Sequence, residues 1–193
     1  MGLRMGEVRL EKSNKEWKES FEIEKENLER IFKGIALKIE HVGSTSIEGI
    51  SAKPIIDIAV AVKKLNDFEK VRDEFYNIKD YSIKEDSPSD EILVRKGNPE
   101  EITHFIHIME YNSERYKNQI LFRDYLRTHE AERVEYEELK IKLAKKYKND
   151  RKKYTANKND FIQKVLKRAR EEEEKLCLNY TQNINQQATS QRQ

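Results

Sequence analysis

The sequence predicts an α+β fold, with strands and helices mixed up to about residue 109 and helices alone after it. Three observations carry that reading. Short apolar runs with period-two alternation stop at Met109. Stretches with apolar residues every three or four positions follow from Ser113 onward. The strand-rich part is punctuated by turn residues such as Gly97-Asn98-Pro99. One domain is expected over residues 1–175, with a mixed α/β core over about 7–112 and a helical part over about 113–175. The segment 176–193 is expected to be a disordered polar tail, because Gln, Asn, Thr and Ser offer too little apolar surface to offset ordering entropy.

Each element has its own warrant. Asn14 is read as the N-cap of a helix reaching about Lys33, with Trp17, Phe21, Leu28, Ile31 and Phe32 on one stripe and Gly34 closing it. Leu37, Ile39 and His41 alternate with Lys38, Glu40 and Val42, a strand that puts His41 on the face of the apolar pair. In Ile55–Val62 one face carries Ile56, Ile58, Val60 and Val62 and is read as core. The other carries Ile55, Asp57, Ala59 and Ala61, where small residues beside a carboxylate leave room for something to lie over it. Leu65–Ile78 predicts a helix and Tyr81–Glu85 a short strand; Glu91–Lys96 and Ile102–Met109 predict a hairpin. Helices follow over about 113–128, 130–148 and 157–174, with Tyr136, Leu139, Leu143, Tyr147 and Phe161, Val165, Ala169 turned inward.

Composition narrows the function classes. The 38 Lys and Arg residues against 36 Asp and Glu leave a formal charge of +2, so net charge predicts no polyanion partner. The one basic cluster, Lys140 to Lys153, follows four glutamates (132, 135, 137 and 138) and is read as the solvated flank of a helix, ahead of nucleic-acid contact. A single cysteine, Cys177, excludes an internal disulfide and fits a reducing compartment. No run approaches the roughly 18 apolar residues of a membrane span, and Met1–Arg9 has no signal-peptide core. A cytoplasmic protein without membrane contact is expected; the oligomeric state stays open.

Chemistry concentrates in His41-Val42-Gly43-Ser44-Thr45-Ser46 and in Lys53-Pro54-Ile55-Ile56-Asp57-Ile58. Gly43 permits close backbone approach to a ligand, and Ser44 and Thr45 supply hydroxyls and N–H groups suited to phosphate oxygens. Asp57, inside an apolar run, needs a metal or a cation; a buried ion pair with Lys53 or Arg123 is the structural alternative. His104 and His107 are three apart on a strand, so only one shares a face with Asp57. His41, Asp57 and one of them would suit Zn²⁺, Mn²⁺ or Fe²⁺ better than Mg²⁺, although His41 and His107 each read as a hydrogen-bonding residue ahead of a metal ligand. Arg123 and Arg127, one helical turn apart, can share one anion, or Arg123 can clamp Asp124 or Glu130.

These segments, together with Thr103-His104-Phe105-Ile106-His107, Phe122-Arg123-Asp124-Tyr125-Leu126-Arg127 and Tyr154-x3-Lys158-x2-Phe161, resemble in order the GrpB family over roughly residues 7–170. The resemblance implies a nucleotidyltransferase-like fold related to the polymerase-β superfamily, with a mixed sheet and flanking helices. Some relatives are fused to a dephospho-coenzyme A kinase, which implies nucleotide or coenzyme chemistry. The superfamily pattern of Gly-Ser followed by Asp-hydrophobic-Asp/Glu is matched by Gly43-Ser44 and Asp57-Ile58, but Ala59 stands at the second acidic position. By this resemblance the chain is expected to bind a nucleotide or phosphorylated small molecule and to transfer a nucleotidyl group. Asp57 and His107 are the catalytic candidates, the family motif favouring His107 over His104. Gly43, Ser44, Thr45, Lys53, Arg123, Arg127 and Lys158 would bind phosphate. Asp57, His41 and His107 would hold a divalent metal, Mg²⁺ or Mn²⁺, with Zn²⁺ as the alternative. Ala59 supports the alternative of a catalytically inactive module acting through a protein or RNA partner. A metal-dependent phosphohydrolase using His41, Asp57 and His107 is a third reading.

Overall fold

The computed structural model describes residues 1–190, with side chains through residue 178 and at Tyr180. Among the described residues five strands form one sheet: β1 (Ala36–Val42), β2 (Ile56–Val62), β3 (Tyr81–Lys84), β4 (Ile92–Asn98) and β5 (Glu101–Glu110), in the order β1-β2-β5-β4-β3. The central pair β2–β5 is parallel and every other pair antiparallel, so the sheet is mixed, as the family resemblance implies. The β4–β5 hairpin depends on Gly97, whose φ is 100° and whose missing Cβ would overlap the Glu101 carbonyl oxygen. The described residues also form the α-helices α1 (Glu16–Ile31), α2 (Arg72–Asn77), α3 (Glu114–Thr128), α4 (Glu130–Lys146), α5 (Arg151–Ala156) and α6 (Asn159–Ser190).

Period-two alternation sorts the strands onto two faces. Ile56, Ile58, Val60, Val62, Val94, Ile106 and Ile108 pack against Trp17, Phe21 and Leu28 of α1, with Phe32, Phe68 and Phe75 closing this main core. On the opposite face Val42, Ala59, Ala61 and Met109 lie under Tyr116 of α3. The two alanines are fully buried, so the face expected to stay open is roofed; small side chains let α3 approach the sheet closely. Only Asp57, with 34 % of its side chain exposed, remains accessible on that side of β2.

Boundaries differ from the sequence reading where local hydrogen bonding intervenes. Asp67 accepts the Lys64 N–H in a 3-10 turn over Leu65–Lys70, and Val71 at φ −125° leaves the helical basin, so the expected single helix splits before α2. The register shifts between Ala36 and Lys38, and Leu37 turns out to solvent at 52 % exposure. Asp150 caps a short helix, α5, inside the basic run, accepting the Lys153 N–H at 3.0 Å. The backbone of α6 continues to Ser190 through much of the segment expected to be a disordered tail, with Leu176, Leu178 and Tyr180 exposed. Once nucleated, a helix gains one hydrogen bond per added residue without needing a packed face. Residues 191–193 of that segment lie outside the described residues. Among the described residues no helix is long and apolar enough to cross a membrane.

Candidate functional site

β1 ends at Val42, whose register partner on β2 is Asp57. The chain then turns at Gly43, with φ 68° and ψ −171°, into a 3-10 turn over Ser44–Ser46. Glycine is required twice over: this backbone region is closed to residues with a Cβ, and a Cβ here would overlap Asp57 Oδ2. The turn and the carboxylate therefore meet, and both line one cavity of about 530 Å³ with His107, Gln119, Tyr136 and Lys158. Ser44 Oγ donates to the Tyr136 hydroxyl at 3.3 Å.

His107 is held between two carboxylates. Its Nε2 lies 3.4 Å from Asp57 Oδ1 and its Nδ1 bonds Glu91 Oε1, while Arg115 Nη1 lies 3.5 Å from the other Glu91 oxygen. Burial opposes the imidazolium, but the bonds to Asp57 and Glu91 override it and push the His107 pKa up to about 9. Burial likewise opposes the Asp57 carboxylate, yet His107, Lys53 and Arg151 hold its pKa below the usual range. At neutral pH the pair is Asp57 anion and His107 cation.

The remaining candidates divide between two sides of the sheet. His41 is registered opposite Ile58, so it faces α1, away from Asp57. There it stacks on Phe21 at 4.8 Å and its Nε2 meets Thr45 Oγ1 at 2.9 Å. Burial pushes its pKa down to about 4. His41, Thr45, Ser46, Arg123 and Arg127 line a second cleft of about 850 Å³ against α1. His104 also faces α1, 3.2 Å from Ser20 Oγ. The motif is thus split: Gly43 and Ser44 serve the Asp57 cavity, Thr45 and Ser46 the other cleft.

Three expectations are corrected by this division. The His41–Asp57–His107 ligand set is not assembled, because the sheet separates His41 from the other two. Thr45 spends its hydroxyl on His41, outside the Asp57 cavity. Arg123 and Arg127 do not converge on a shared anion with Asp57. Arg123 is buried and saturated, donating to Glu40 at 2.8 Å, the His41 carbonyl at 3.0 Å, and Asp124 at 2.7 and 3.1 Å. Arg127 donates to the Ser46 carbonyl at 3.1 and 2.8 Å. Lys158 lines the Asp57 cavity, its Nζ 4.7 Å from the Tyr154 ring centre, and Lys53 Nζ lies 5.5 Å from the same ring. Burial, then Arg151 and Lys158, push the Lys53 pKa down to about 7.

Several residues at the site escape the sequence reading. Glu91, in the segment before β4, belongs to no motif. Arg151 stacks on Phe105 at 4.2 Å. Lys140 is fully buried, donates to the Ser51 carbonyl and sits 4.7 Å from the Tyr136 ring; burial pushes its pKa down to about 7. The basic run is therefore not a wholly solvated flank. The sequence does carry a signal for Lys140: it lies four residues after Tyr136 and three before Leu143, on the buried stripe of α4.

The donor set does not fit a bound divalent ion. Among the described residues no three His, Cys, Asp or Glu side chains are grouped to hold one. Asp57 is already faced by Lys53 and Arg151, and both ring nitrogens of His107 are engaged by carboxylates.

Comparison with known proteins points one way. A sequence model described as GrpB protein matches residues 7–168. The chain is 37 % identical over 174 residues to the Glutamate-rich protein GrpB of Alkalihalophilus pseudofirmus, covering 86 % of this chain and 98 % of that one. It is 33 % identical over 158 residues to the UPF0157 protein YqkA of Bacillus subtilis, covering 81 % of this chain but 46 % of the longer relative. The crystal structure of conserved protein GrpB from Enterococcus faecalis is similar with a TM-score of 0.76 and 34 % identity, covering 83 % of this chain and 96 % of that one.

Proposed function

The chain belongs to the GrpB family, and from that premise we propose that it binds a nucleotide or a related phosphorylated small molecule in the cavity beneath the Gly43–Ser44 turn. The observation that supports this reading is the convergence of the turn, the Asp57–His107 pair and Lys158 on one cavity. Its volume of about 530 Å³ falls in the range of small-molecule sites. Lys158 supplies positive charge on the cavity wall, which it shares with the Ser44 and Tyr136 hydroxyls. Phe122, Tyr136, Ile162 and Leu166 in the same lining offer apolar surface for an uncharged ring.

Two-ion nucleotidyl transfer places heavier demands on carboxylates than Asp57 alone meets. Ala59 is packed under Tyr116 with no exposure, so β2 contributes one carboxylate where the pattern wants two. That observation favours a second reading, in which a catalytically inactive module of this fold binds its ligand and acts through a protein or RNA partner. Isothermal titration at low salt, with a panel of nucleoside mono-, di- and triphosphates and phosphorylated coenzyme A precursors, tests the first reading. Wild type is expected to bind at least one member, and Lys158→Met to bind it about tenfold more weakly, the loss of one charge-assisted contact. Absence of binding across the panel, or equal binding by the variant, contradicts it.

A further inference from the structure

One row of residues crosses the sheet beside the cavity. Asp57 on β2 is registered with Phe105 on β5, and Phe105 with Arg95 on β4, so all three side chains share the face away from α1. The Arg151 guanidinium lies over the Phe105 ring, near enough to Asp57 and Arg95 to feel both charges. Lys53 closes the group, near enough to Arg151 and Asp57 to feel both charges.

The cations in this row outnumber the one carboxylate, Asp57, that faces Lys53 and Arg151. Arg95 Nε is buried without a hydrogen-bond partner, and Nη1 reaches only the Met5 sulfur at 3.6 Å. Among the described residues, the contacts of Lys53 and Arg151 are to the faces of Tyr154 and Phe105, with no carboxylate within ion-pair distance. The contrast with Arg123 and Arg115, both bonded to carboxylates, is sharp. Withdrawing cations from water without partners costs stability. A ligand anion would repay that cost.

We propose that Lys53, Arg95 and Arg151 form a second anion subsite over Phe105, so that the ligand carries at least two linked phosphoryl groups, one in the Asp57 cavity and the next beside it. Strands are spaced about 5 Å apart, which places Phe105 within the reach of adjoining phosphates. The His107 imidazolium and Lys53 screen Asp57, so its carboxylate does not bar the chain of phosphates. This subsite rests on the reading of the cavity as a phosphate site.

The test is titration calorimetry of the full chain at low salt in EDTA, with AMP, inorganic phosphate and pyrophosphate as probes. Wild type is expected to bind pyrophosphate about tenfold or more tighter than phosphate, as one extra charge-assisted contact gives. Arg151→Met and Arg95→Met are each expected to remove that preference, keep AMP and phosphate binding, and melt at or above the wild-type temperature. Equal affinity for phosphate and pyrophosphate in wild type overturns the second subsite and leaves the cavity reading intact. A preference that survives both substitutions overturns it too, as does a variant that loses the preference only by melting well below wild type. Failure of all three probes to bind removes the cavity reading first.

Discussion

His41 and His107 lie on opposite faces of the same sheet and carry opposite charge states at neutral pH, one neutral and one cationic. Burial weighs against a proton on both. Toward α1, His41 has Phe21 against its ring and the Thr45 hydroxyl at Nε2; burial, with Arg127 and Arg123 nearby, outweighs the opposing Asp57 charge, so its pKa falls to about 4. Toward α3 and α6, His107 is bonded by two carboxylates and its pKa rises to about 9. Among the arginines, Arg123 finds Glu40 and Asp124 and Arg115 finds Asp90 and Glu91, whereas Arg95 and Arg151 find no carboxylate within ion-pair distance among the described residues. A face whose polar groups satisfy one another is architecture. A face that leaves cations in excess beside a cavity is the one on which the proposed ligand site rests.

The comparison breaks most directly at Gly43, the residue that serves both sides. Gly43→Ala is expected to cost about 4 kcal/mol in urea unfolding, the sum of a glycine-only backbone conformation and overlap with Asp57. A loss under about 1 kcal/mol would show that the turn and the carboxylate are not pressed together.

Acid should act on the α1 face through His41, in a window above that of the depressed carboxylates Asp57 and Glu91. His41 has a folded pKa of about 4 against an ordinary 6.5, so the unfolded chain takes up the proton first and stability falls as pH drops through that window. Burial lowers the His104 pKa as well, and both histidines contribute. The full effect of His41 is about 3 kcal/mol, and His41→Gln should flatten the stability profile between pH 6.5 and 4 by that order. An unchanged acid limb would mean that His41 is already charged.

The opposite sign is expected across the sheet. His107 has its folded pKa raised, so its contribution is complete below 6.5 and is lost as pH rises through about 9. Glu91→Gln should remove about 2 kcal/mol at pH 6 and move the His107 pKa, read by NMR, down toward its ordinary value. A His107 pKa that stays near 9 in the variant would assign the charge to Asp57 alone. The smallest effect belongs to Arg127→Gln. It should cost about 1 kcal/mol through its bonds to the Ser46 carbonyl and leave ligand affinity unchanged; a fall in affinity would move the site to the α1 cleft.

Much of this organisation is legible in the residues. The alternation in β2 separates Ile56, Ile58, Val60 and Val62 from Asp57, and the three-residue spacing of His104 and His107 allows one of them beside Asp57. Alternation in β1 places His41 with Ile39, the face that packs on α1, yet the adjacency of His41 to the Gly-Ser turn suggests the Asp57 side. Sequence distance misleads there because a strand reverses face at every residue. Arg123 is readable as a clamp or an anion ligand, and only the antiparallel approach of β1, which brings Glu40 to it, decides between them. Glu91 and the stacking of Arg151 on Phe105 depend on contacts across 16 and 46 positions, which no local pattern encodes.

Backbone amide shifts during titration with a nucleoside diphosphate distinguish the two faces in one measurement. The amides of Gly43, Ser44, Gln119 and Lys158 are expected to move together and saturably, with Lys18, Gly49 and Arg127 in the α1 cleft still. Saturable shifts confined to the α1 cleft, or no shift at either face, would contradict a ligand site beneath the Gly43–Ser44 turn.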